Sequence, residues 1–553
     1  MKKVGSILLA AVLSLGFVGC GGQVVNPGES GGVALDPNKD TMYISVFNGG
    51  YGHEWLKTIV NDYNAARPDN KYNIGIKANK DEFSTISAQV EAGTFTSDIF
   101  FSNLYIYKLI NTNSLENIAD VWDSQPDNDG DTVRSLMFTA DEYAAAYGDG
   151  KGGLYGLPLQ ESVRTFVYDH DLFLTYGLLY DDQGNFTNSE AAVSKGNDGI
   201  KGTYDDGHPQ TEAQWDAMVK KADSIYGNAF SYTGKFGIYV NDLYYSIAAQ
   251  YDGLDKFMLN YTFDTNTTLG YDFGDGNGET IINLDNAYKL AEMKGRTKGL
   301  QFMDQYLACK DVTIGTNSPY VYSIAGTLGY SHTDAQNDFI LNTARDNPQK
   351  IAMLFEGDWW ENEAKTTFKA LEDAKYDDYA FRTRNYRFMT LPYFEGQAEA
   401  RNVKTYSVAD NMYIAAVKQT DATKKEIVHD FLKFMYQKKY IQNFTVESGG
   451  VMPFNVDLTT EQKAKLSPFT KNFLELYHDR TNNKFFNTQI FWNTYDTHKC
   501  GAFPAMNSTD GYYQLINALY YADAATLQNE MIASWNDNYA GKVATYQNYI
   551  ANK

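Results

Sequence analysis

Two adjacent tryptophans, Trp359 and Trp360, lie among acidic residues in the stretch EGDWWENEA. The chain has only seven tryptophans in 553 residues, so a pair beside acids needs a physical reason. A flat amphipathic ring can pack against a polar ligand, and the same ring can equally fill a protein core. These residue types therefore point either to non-covalent ligand binding or to packing.

The elements around the pair indicate how the two rings are positioned. The apolar run IAMLF (351–355) is typical of a buried strand, and it is followed by Gly357 and the pattern Asp358-x-x-Glu361. This pattern is a capping box and predicts a helix whose first two positions are the tryptophans. Because neighbours on a helix point about 100° apart, one ring can pack inward while the other faces the carboxyl end of the strand. In open α/β sheets ligands bind at that end, although both rings could instead attach the helix to its sheet.

The first part of the folded body alternates strands and helices. Strands are predicted at 42–47, 72–78 and 97–102, and helical spacing runs from Trp55 to Tyr63 and from Phe83 to Val90. Strands separated by helices imply a parallel sheet with right-handed crossovers. The loops NGGYGHEW and SNLYIY leave the carboxyl ends of the first and third strands, so both should line one crevice.

The N-terminus has the pattern of a secretion signal. Two lysines precede an apolar run of about 15 residues, which is short of the roughly 20 needed to span a bilayer. Gly19 before Cys20 resembles a bacterial lipoprotein signal, with Phe17 where leucine is usual. We expect 1–20 to be a signal peptide that ends at a lipidated Cys20 and anchors the protein to the outer face of a bacterial membrane. Ordinary secretion and an uncleaved anchor are the alternatives, and a periplasmic or a Gram-positive surface location remains open.

Composition limits the size of the body and its partners. Residues 21–40 are rich in Gly, Pro and Asn and predict a flexible tether, after which about 510 residues are too many for one core and indicate two lobes. A formal charge of −22 argues against nucleic acid as the main partner. Cys309 and Cys500 are 191 positions apart and could be a disulfide or two thiols.

Six segments in order resemble one known family. These are QVEAGTFTSDIFFSN, LYGLPLQESVRTFVYDHDLF, KIAMLFEGDWWENE, FMTLPYFEG, KKEIVHDFLKFM and ESGGVMPFN. Together they are similar to the extracellular solute-binding proteins of ABC importers, family 1, which are carbohydrate-binding and maltose-binding-protein-like. The second segment departs from the family pattern at Asp169, where asparagine is usual. The resemblance covers about 41–455, with insertions at 180–210 and 260–280.

The resemblance implies an α/β fold of the periplasmic-binding-protein-like type II class, with discontinuous lobes around a central cleft. We assign 41–160 plus 392–444 to lobe one and 161–391 plus 445–553 to lobe two. The implied function is to capture a carbohydrate, in particular an oligosaccharide, and to deliver it as a monomer to an ABC permease.

The resemblance also implies a set of ligand-binding residues. Trp359 matches the family tryptophan that stacks on a sugar ring. Its neighbour Trp360 is either a further ligand-binding residue or the packing support of Trp359. The remaining candidates come from loops facing the same crevice: Asp358, Asn48, Tyr51, Trp55, Asn103, Gln160, Glu161, Arg164, Asn241 and Tyr244. Their amides, carboxylates and guanidinium could bind vicinal hydroxyls. Alternatively, Trp55 and Tyr244 are core residues, and Glu161 with Arg164 forms a hinge ion pair.

Other chemistry has little support in the sequence. The loop 197–207 is acidic and glycine-rich, so Asp198, Asp205 and Asp206 are candidate calcium ligands, but Asp-Gly is foremost a turn dipeptide. No cofactor is implied. HEWLK, GYSHT and GDGNGET each lack a residue of the catalytic or phosphate-binding motif they approach. A surface glycoside hydrolase or polysaccharide lyase, and a binding protein for peptides or other solutes, remain alternatives.

Overall fold

The computed structural model describes residues 32–79, 83–265, 268–310, 317–397, 403–503 and 514–553. The predicted signal peptide and Cys20 lie outside the described residues. The strands are β1 (Asp40–Phe47), β2 (Tyr72–Asn79), β3 (Ile99–Ser102), β4 (Leu157–Asp169), β5 (Leu179–Tyr180), β6 (Phe186–Thr187), β7 (Phe230–Ser231), β8 (Gly270–Tyr271), β9 (Thr280–Ile281), β10 (Met353–Gly357), β11 (Tyr386–Met389), β12 (Lys404–Ala416) and β13 (Asn483–Phe486).

The helices connect and cover these strands. They are α1 (Glu54–Ala66), α2 (Phe83–Glu91), α3 (Ile106–Asn111), α4 (Ala119–Trp122), α5 (Val133–Leu136), α6 (Ala140–Tyr147), α7 (His170–Thr175), α8 (Glu212–Tyr226), α9 (Asn241–Asp252), α10 (Leu254–Phe257), α11 (Leu259–Thr262), α12 (Lys294–Tyr306), α13 (His332–Ala344), α14 (Trp360–Glu363), α15 (Lys365–Asp373), α16 (Ala422–Met435), α17 (Lys438–Ser448), α18 (Thr460–Lys463), α19 (Pro468–His478), α20 (Thr488–Thr494), α21 (Asp496–Lys499), α22 (Leu515–Ala518) and α23 (Ala524–Ala551). Short 3₁₀ segments occupy Glu190–Ala192, Gly237–Val240, Ala287–Glu292 and Asp377–Tyr379.

The main sheet joins two lobes through two long strands. Its order is β2-β1-β3-β12-β4-β10-β7, with β11 paired to β4 and β13 paired to β12. The strands β4 and β12 have 13 residues each. The first half of β4 pairs with β12, and its second half pairs with β10 and β11. The carboxyl half of β12 pairs with β3, and its amino half pairs with β13. These two hinge strands therefore run from one lobe into the other.

The strands predicted for lobe one are present and parallel. β1 pairs in parallel with β2 and with β3, as the alternation of strands and helices requires. The helix α1 buries Trp55, Leu56, Ile59, Val60 and Tyr63, the residues with helical spacing in the sequence. This arrangement places the carboxyl ends of β1 and β3 side by side at the boundary between the lobes.

The chain changes lobes later than two of the predicted boundaries. Tyr393 donates its backbone amide to Gln210 of lobe two, and Lys404 donates to Asn482, so the second crossing lies inside β12 rather than at 392. At the third boundary, Phe454 still pairs with Met137 of lobe one, and contact with lobe two begins near Ser467, which bonds Glu361. Leu391 and Pro392 therefore lie within lobe two and not at the crossing.

The end of the predicted tether is packed against the body. Val33 is buried, and the amides of Ala34 and Asp36 donate to the side chains of Asn61 and Asn73. The part of 21–40 that the structure describes is therefore attached to lobe one rather than flexible.

The sequence insertion at 260–280 forms a small second core with the C-terminal helix. Its members come from two distant stretches of the chain: Leu259, Phe263, Tyr271, Ile282, Ala287, Leu290, Ala291, Met293, Ala502, Phe503, Trp535 and Tyr539. Cys309 and Cys500 are both free thiols, which settles the alternative that composition left open. Within the described ranges, no helix combines the length and apolar character that a membrane span requires.

Candidate functional site between the lobes

A cavity of about 490 Å³ lies where the two lobes meet. Lobe one and the hinge strands contribute Val46, Phe47, Asn48, Gly49, Gly50, Tyr51, Gly52, Trp55, Phe83, Phe101, Asn103, Leu159, Gln160 and Met412. Lobe two contributes Lys235, Phe236, Tyr239, Ser331, His332, Thr333, Trp359 and Glu363. The volume is in the range of small-molecule sites, and eight of the lining residues are aromatic.

Six of the predicted site residues meet in this cavity. They are Asn48, Tyr51, Trp55, Asn103, Gln160 and Trp359. The first three follow β1, Asn103 follows β3, and Gln160 lies on the hinge strand β4. Trp55 fills both predicted roles, because it is buried against Phe101 and Phe444 and still lines the cavity.

Trp359 is held in place because the backbone of each lobe passes close to its side chain, at Gly357 and at Gly50. A side chain at Gly357 would place its Cβ 2.3 to 2.6 Å from the six-membered ring, and one at Gly50 would lie 2.7 to 2.8 Å from the indole. Glycine at these two positions therefore lets the ring lie flat against its own strand and against lobe one. Trp359 is 6% exposed, and the edge of the ring meets Tyr51 and Tyr239.

The predicted capping box is wrong. The Asp358 carboxylate accepts the backbone amide of Val163 at 2.9 Å and the hydroxyl of Tyr51 at 2.6 Å, so it is not available to the helix. Trp359 takes the N-cap position of α14 without a side-chain cap, and Glu361 accepts from Ser467 instead. Asp358 binds the amide of Val163 rather than an amide of the helix, because the Val163 amide would otherwise be buried without a hydrogen-bond partner.

Direct hydrogen bonds connect the lobes around the cavity. Tyr51 joins lobe one to Asp358, and Asn362 of lobe two donates to the carbonyl of Gly50 at 2.5 Å. Arg382 of lobe two donates to the carbonyls of Val446 and Glu447 at the end of α17, each at 3.2 Å. The two lobes are therefore closed on one another in this structure.

Residues 58–468, well over half of the chain, match the family described as bacterial extracellular solute-binding protein. The chain belongs to this family. It is a solute-binding protein of ABC importers, a non-enzymatic class, so the glycoside hydrolase and polysaccharide lyase alternatives are excluded. Sequence comparison with curated proteins finds no match.

Solved structures share the fold of this binding protein. A chitin oligosaccharide binding protein matches with a TM-score of 0.53 and 15% identity over 90% of this chain and 100% of its own. A probable secreted solute-binding lipoprotein from Streptomyces coelicolor matches with a TM-score of 0.55 and 12% identity over 91% and 100%. The binding protein RafE in complex with raffinose matches with a TM-score of 0.51 and 15% identity over 90% and 99%. The predicted two-lobed α/β fold is confirmed.

Two candidates on the hinge strand point to opposite sides of it. Arg164 is buried, donates to Asp242 at 2.6 Å, and stacks behind Tyr239 rather than lining the cavity. Glu161 accepts hydroxyls from Tyr143 and Tyr477 in the core. The predicted Glu161–Arg164 pair is wrong because strand residues three apart face opposite sides.

The remaining candidates lie in the core of this solute-binding protein. Trp360 is fully buried among Phe339, Phe368, Tyr386 and Phe469, so it supports α14 and does not reach the cavity.

Asn241 accepts the amide of Leu515, and the hydroxyl of Tyr244 accepts from Arg296. The residues of this segment that line the cavity are instead Phe236 and Tyr239, because α9 begins at Asn241 and is buried from its first residue.

Sequence reasoning missed the polar edge of the cavity on lobe two. His332 Nε2 lies 3.3 Å from Glu363, and Gln336 donates to Glu363 at 2.8 Å and to Glu356 at 3.4 Å. Burial disfavours the charged imidazole, but the bond and charge of Glu363 outweigh it and raise the pKa of His332. Burial raises the pKa of Glu356 to about 7. The only sequence signal was GYSHT, in which Ser331 proves to be the N-cap of α13.

The predicted calcium ligands form turns instead of a metal site. Asp205 accepts the amides of Asn197 and Asp198, and Asp206 accepts the amide of Gly202 at 2.7 Å. Asp198 accepts the amide of Ile200 at 2.7 Å. Across the part of the chain that the structure describes, no three His, Cys, Asp or Glu side chains are arranged to hold a metal ion.

Proposed function

We propose that this solute-binding protein closes its two lobes on an oligosaccharide and delivers it to an ABC permease. The observation that carries the proposal is the composition of the cavity: eight aromatic residues interleaved with the amides of Asn48, Asn103 and Gln160. Aromatic faces pack against the C–H faces of sugar rings, while amide groups supply both donors and acceptors for vicinal hydroxyls.

The free energy available from stacking shows why both aromatic rings and hydrogen-bonding groups are needed. Burying half of a fully exposed tryptophan at about 25 cal/mol per Å² contributes roughly 2 to 3 kcal/mol, which is an upper bound here because Trp359 is only 6% exposed with the lobes closed. Micromolar binding requires about 8 kcal/mol. Stacking on Trp359 therefore supplies a portion, and the amides with Ser331, Thr333 and Glu363 must orient the hydroxyls and supply the rest.

Two structural neighbours are consistent with a glycan ligand. One binds chitin oligosaccharide and another was solved with raffinose, although their 15% identity to this chain supports the fold and not the identity of the sugar. Within the proposal, Cys20 carries the lipid and the residues before Val33 form the tether. Within the proposal the chain crosses between the lobes in β4, in β12 and between 456 and 467, which the hydrogen bonds of Lys404 and Ser467 support.

The test is mass spectrometry of the body from Gly32 onward after incubation with a mixed oligosaccharide library and washing. One intact glycan retained per protein is the expected result, and it names the ligand. A second arm uses a mixed peptide library, and retention of a peptide with no glycan would replace the proposal by a peptide-binding function.

A matched pair of variants locates the binding. Trp359→Ala should abolish retention, whereas Trp492→Ala, which removes a half-buried ring outside the cavity, should leave it intact. Equal loss in both variants would mean that the cavity is not the binding site.

A further inference from the structure

Arg164 occupies a place in this structure that ligand binding does not explain. It lies on the hinge strand β4, is 8% exposed, and does not line the cavity. Its guanidinium carbon lies 3.9 Å from the centre of the Tyr239 ring and 4.9 Å from that of Trp359, and both rings line the cavity. The charge of Arg164 therefore lies immediately behind the rings of Tyr239 and Trp359, which we call the aromatic wall of lobe two.

The guanidinium is itself fixed by both hinge strands. Arg164 donates to one oxygen of Asp242 at 2.6 Å, and the other oxygen accepts from Ser407 of β12 at 3.0 Å. In the sheet Arg164 is paired with Gly357, so no side chain on β10 separates the guanidinium from the Trp359 ring. A planar, ion-paired group in this position can hold two rings at once by stacking.

We propose that Arg164 is a positioning residue that fixes Tyr239 and Trp359 in the orientation that a sugar requires, and that it does not touch the ligand. This inference rests on the proposed function only where it is tested by measuring ligand affinity. Rings fixed before binding lose less conformational entropy when the ligand arrives, so the affinity gain comes from preorganisation.

The direct test needs no ligand. The protein is labelled with 5-fluorotryptophan, and the Trp359 signal is assigned by its disappearance in Trp359→Phe. We expect one narrow ¹⁹F resonance in the wild type and a broadened or split resonance in Arg164→Lys, because lysine keeps a charge for Asp242 but has no flat group to stack. A Trp359 resonance that stays single and narrow in Arg164→Lys overturns the proposal, whatever the ligand is.

The control is another Arg–Asp pair, in which the aspartate, Asp169, is the last residue of β4. Arg384 is paired with Asp169 and stacks on Tyr379, away from the cavity. Arg384→Lys should leave the Trp359 resonance unchanged. If Arg164→Lys fails to fold, Asp242→Asn provides the second variant. It keeps a hydrogen-bond acceptor for Arg164 and should broaden the same resonance to a smaller extent.

A double-mutant cycle on the retained glycan distinguishes positioning from contact. Arg164→Lys should weaken binding about tenfold, as expected for a desolvated cation–π contact. In the Tyr239→Ala/Trp359→Phe background the same substitution should weaken binding by much less. An equal loss in both backgrounds would mean that Arg164 contacts the ligand itself. If no glycan is retained by any variant, the proposed function fails while the fluorine result still stands.

Discussion

The two walls of the cavity are built by different physical means. None of the lining residues from lobe one and the hinge strands is charged, and they pack through aromatic contacts and present amides. Lobe two supplies Lys235, His332 and Glu363 to the lining and has Arg164 and Glu356 behind it. The shape of the cavity on the lobe-one side should therefore be insensitive to pH, whereas its shape on the lobe-two side depends on charge.

The largest expected effect separates the two adjacent tryptophans of lobe two. Trp360→Ala removes a fully buried ring and should lower the free energy of unfolding by about 3 to 5 kcal/mol. Trp359→Ala should weaken ligand binding at least tenfold without unfolding the protein. Chemical denaturation and calorimetric titration of both variants measure this. Similar stabilities with similar affinities in the two variants would contradict the assignment of one ring to the core and one to the cavity.

The next effect concerns two buried carboxyl groups of lobe two. Burial raises the pKa of Glu356 and of Glu361 to about 7 in each case. A carboxyl group whose pKa is raised in the folded state stabilises the folded protein when the pH is below the ordinary pKa of the group. This stabilisation is lost as the pH rises through the folded-state pKa of about 7. Glu356→Gln and Glu361→Gln should therefore raise Tm at about pH 8 by several degrees and leave Tm little changed at about pH 5.

The two variants differ in what they do to the cavity. Glu356 shares Gln336 with Glu363, which lines the cavity, whereas Glu361 bonds Ser467 in the core. Only Glu356→Gln should also change the pH dependence of ligand affinity. Identical affinity profiles for the two variants would show that charge behind the lobe-two wall does not reach the ligand.

A smaller effect is expected at the contact between the walls. Asn362→Ala removes the hydrogen bond to the Gly50 carbonyl, and a net hydrogen bond of about 1 kcal/mol corresponds to about fivefold faster ligand release. Stopped-flow displacement measures the rate. Asn385→Ala, which loses a bond to Asp171 on the outside of lobe two, is the control. If both variants release ligand at the wild-type rate, the contact does not hold the lobes together.

The smallest effect is a change of affinity with pH. Glu363 raises the pKa of His332, so the pair is charged below that pKa and loses its attraction as the pH rises through it. Affinity should fall about two- to threefold over this interval, the size of a partly exposed ion pair. Titrations at several pH values test this, and His332→Gln should flatten the profile. Asn103→Ala on the lobe-one wall should weaken binding equally at every pH.

Local patterns in the sequence were sufficient to predict much of the fold. The strands β1, β2 and β3, the buried face of α1 and the position of Asn48 and Asn103 at the carboxyl ends of strands follow from apolar spacing and from the rule for parallel sheets. Ordered segments such as KIAMLFEGDWWENE were enough to predict the family.

The failures share a physical cause. The capping box at Asp358 was locally plausible, but the amide of Val163, 195 positions away, takes the carboxylate. The predicted hinge pair failed for a similar reason, because Arg164 finds Asp242 and Glu161 finds two tyrosines from distant helices. Polar side chains have several possible partners, and burial decides among them only once the chain is folded.

The sequence by itself determined the alternation of strands and helices, because apolar period and glycine turns are local properties. The family and the choice of Trp359 as a cavity residue followed from the resemblance of six ordered segments to known solute-binding proteins. Only the tertiary structure decided that Trp360 is core, that His332 and Glu363 meet at the cavity, and that Arg164 stands behind the aromatic wall. The position of Arg164 depends on which side of β4 faces the boundary between the lobes, and a shift of one residue along a strand reverses that side. The positions of Trp360, His332 and Glu363 depend on how the helices α13 and α14 pack in the folded chain.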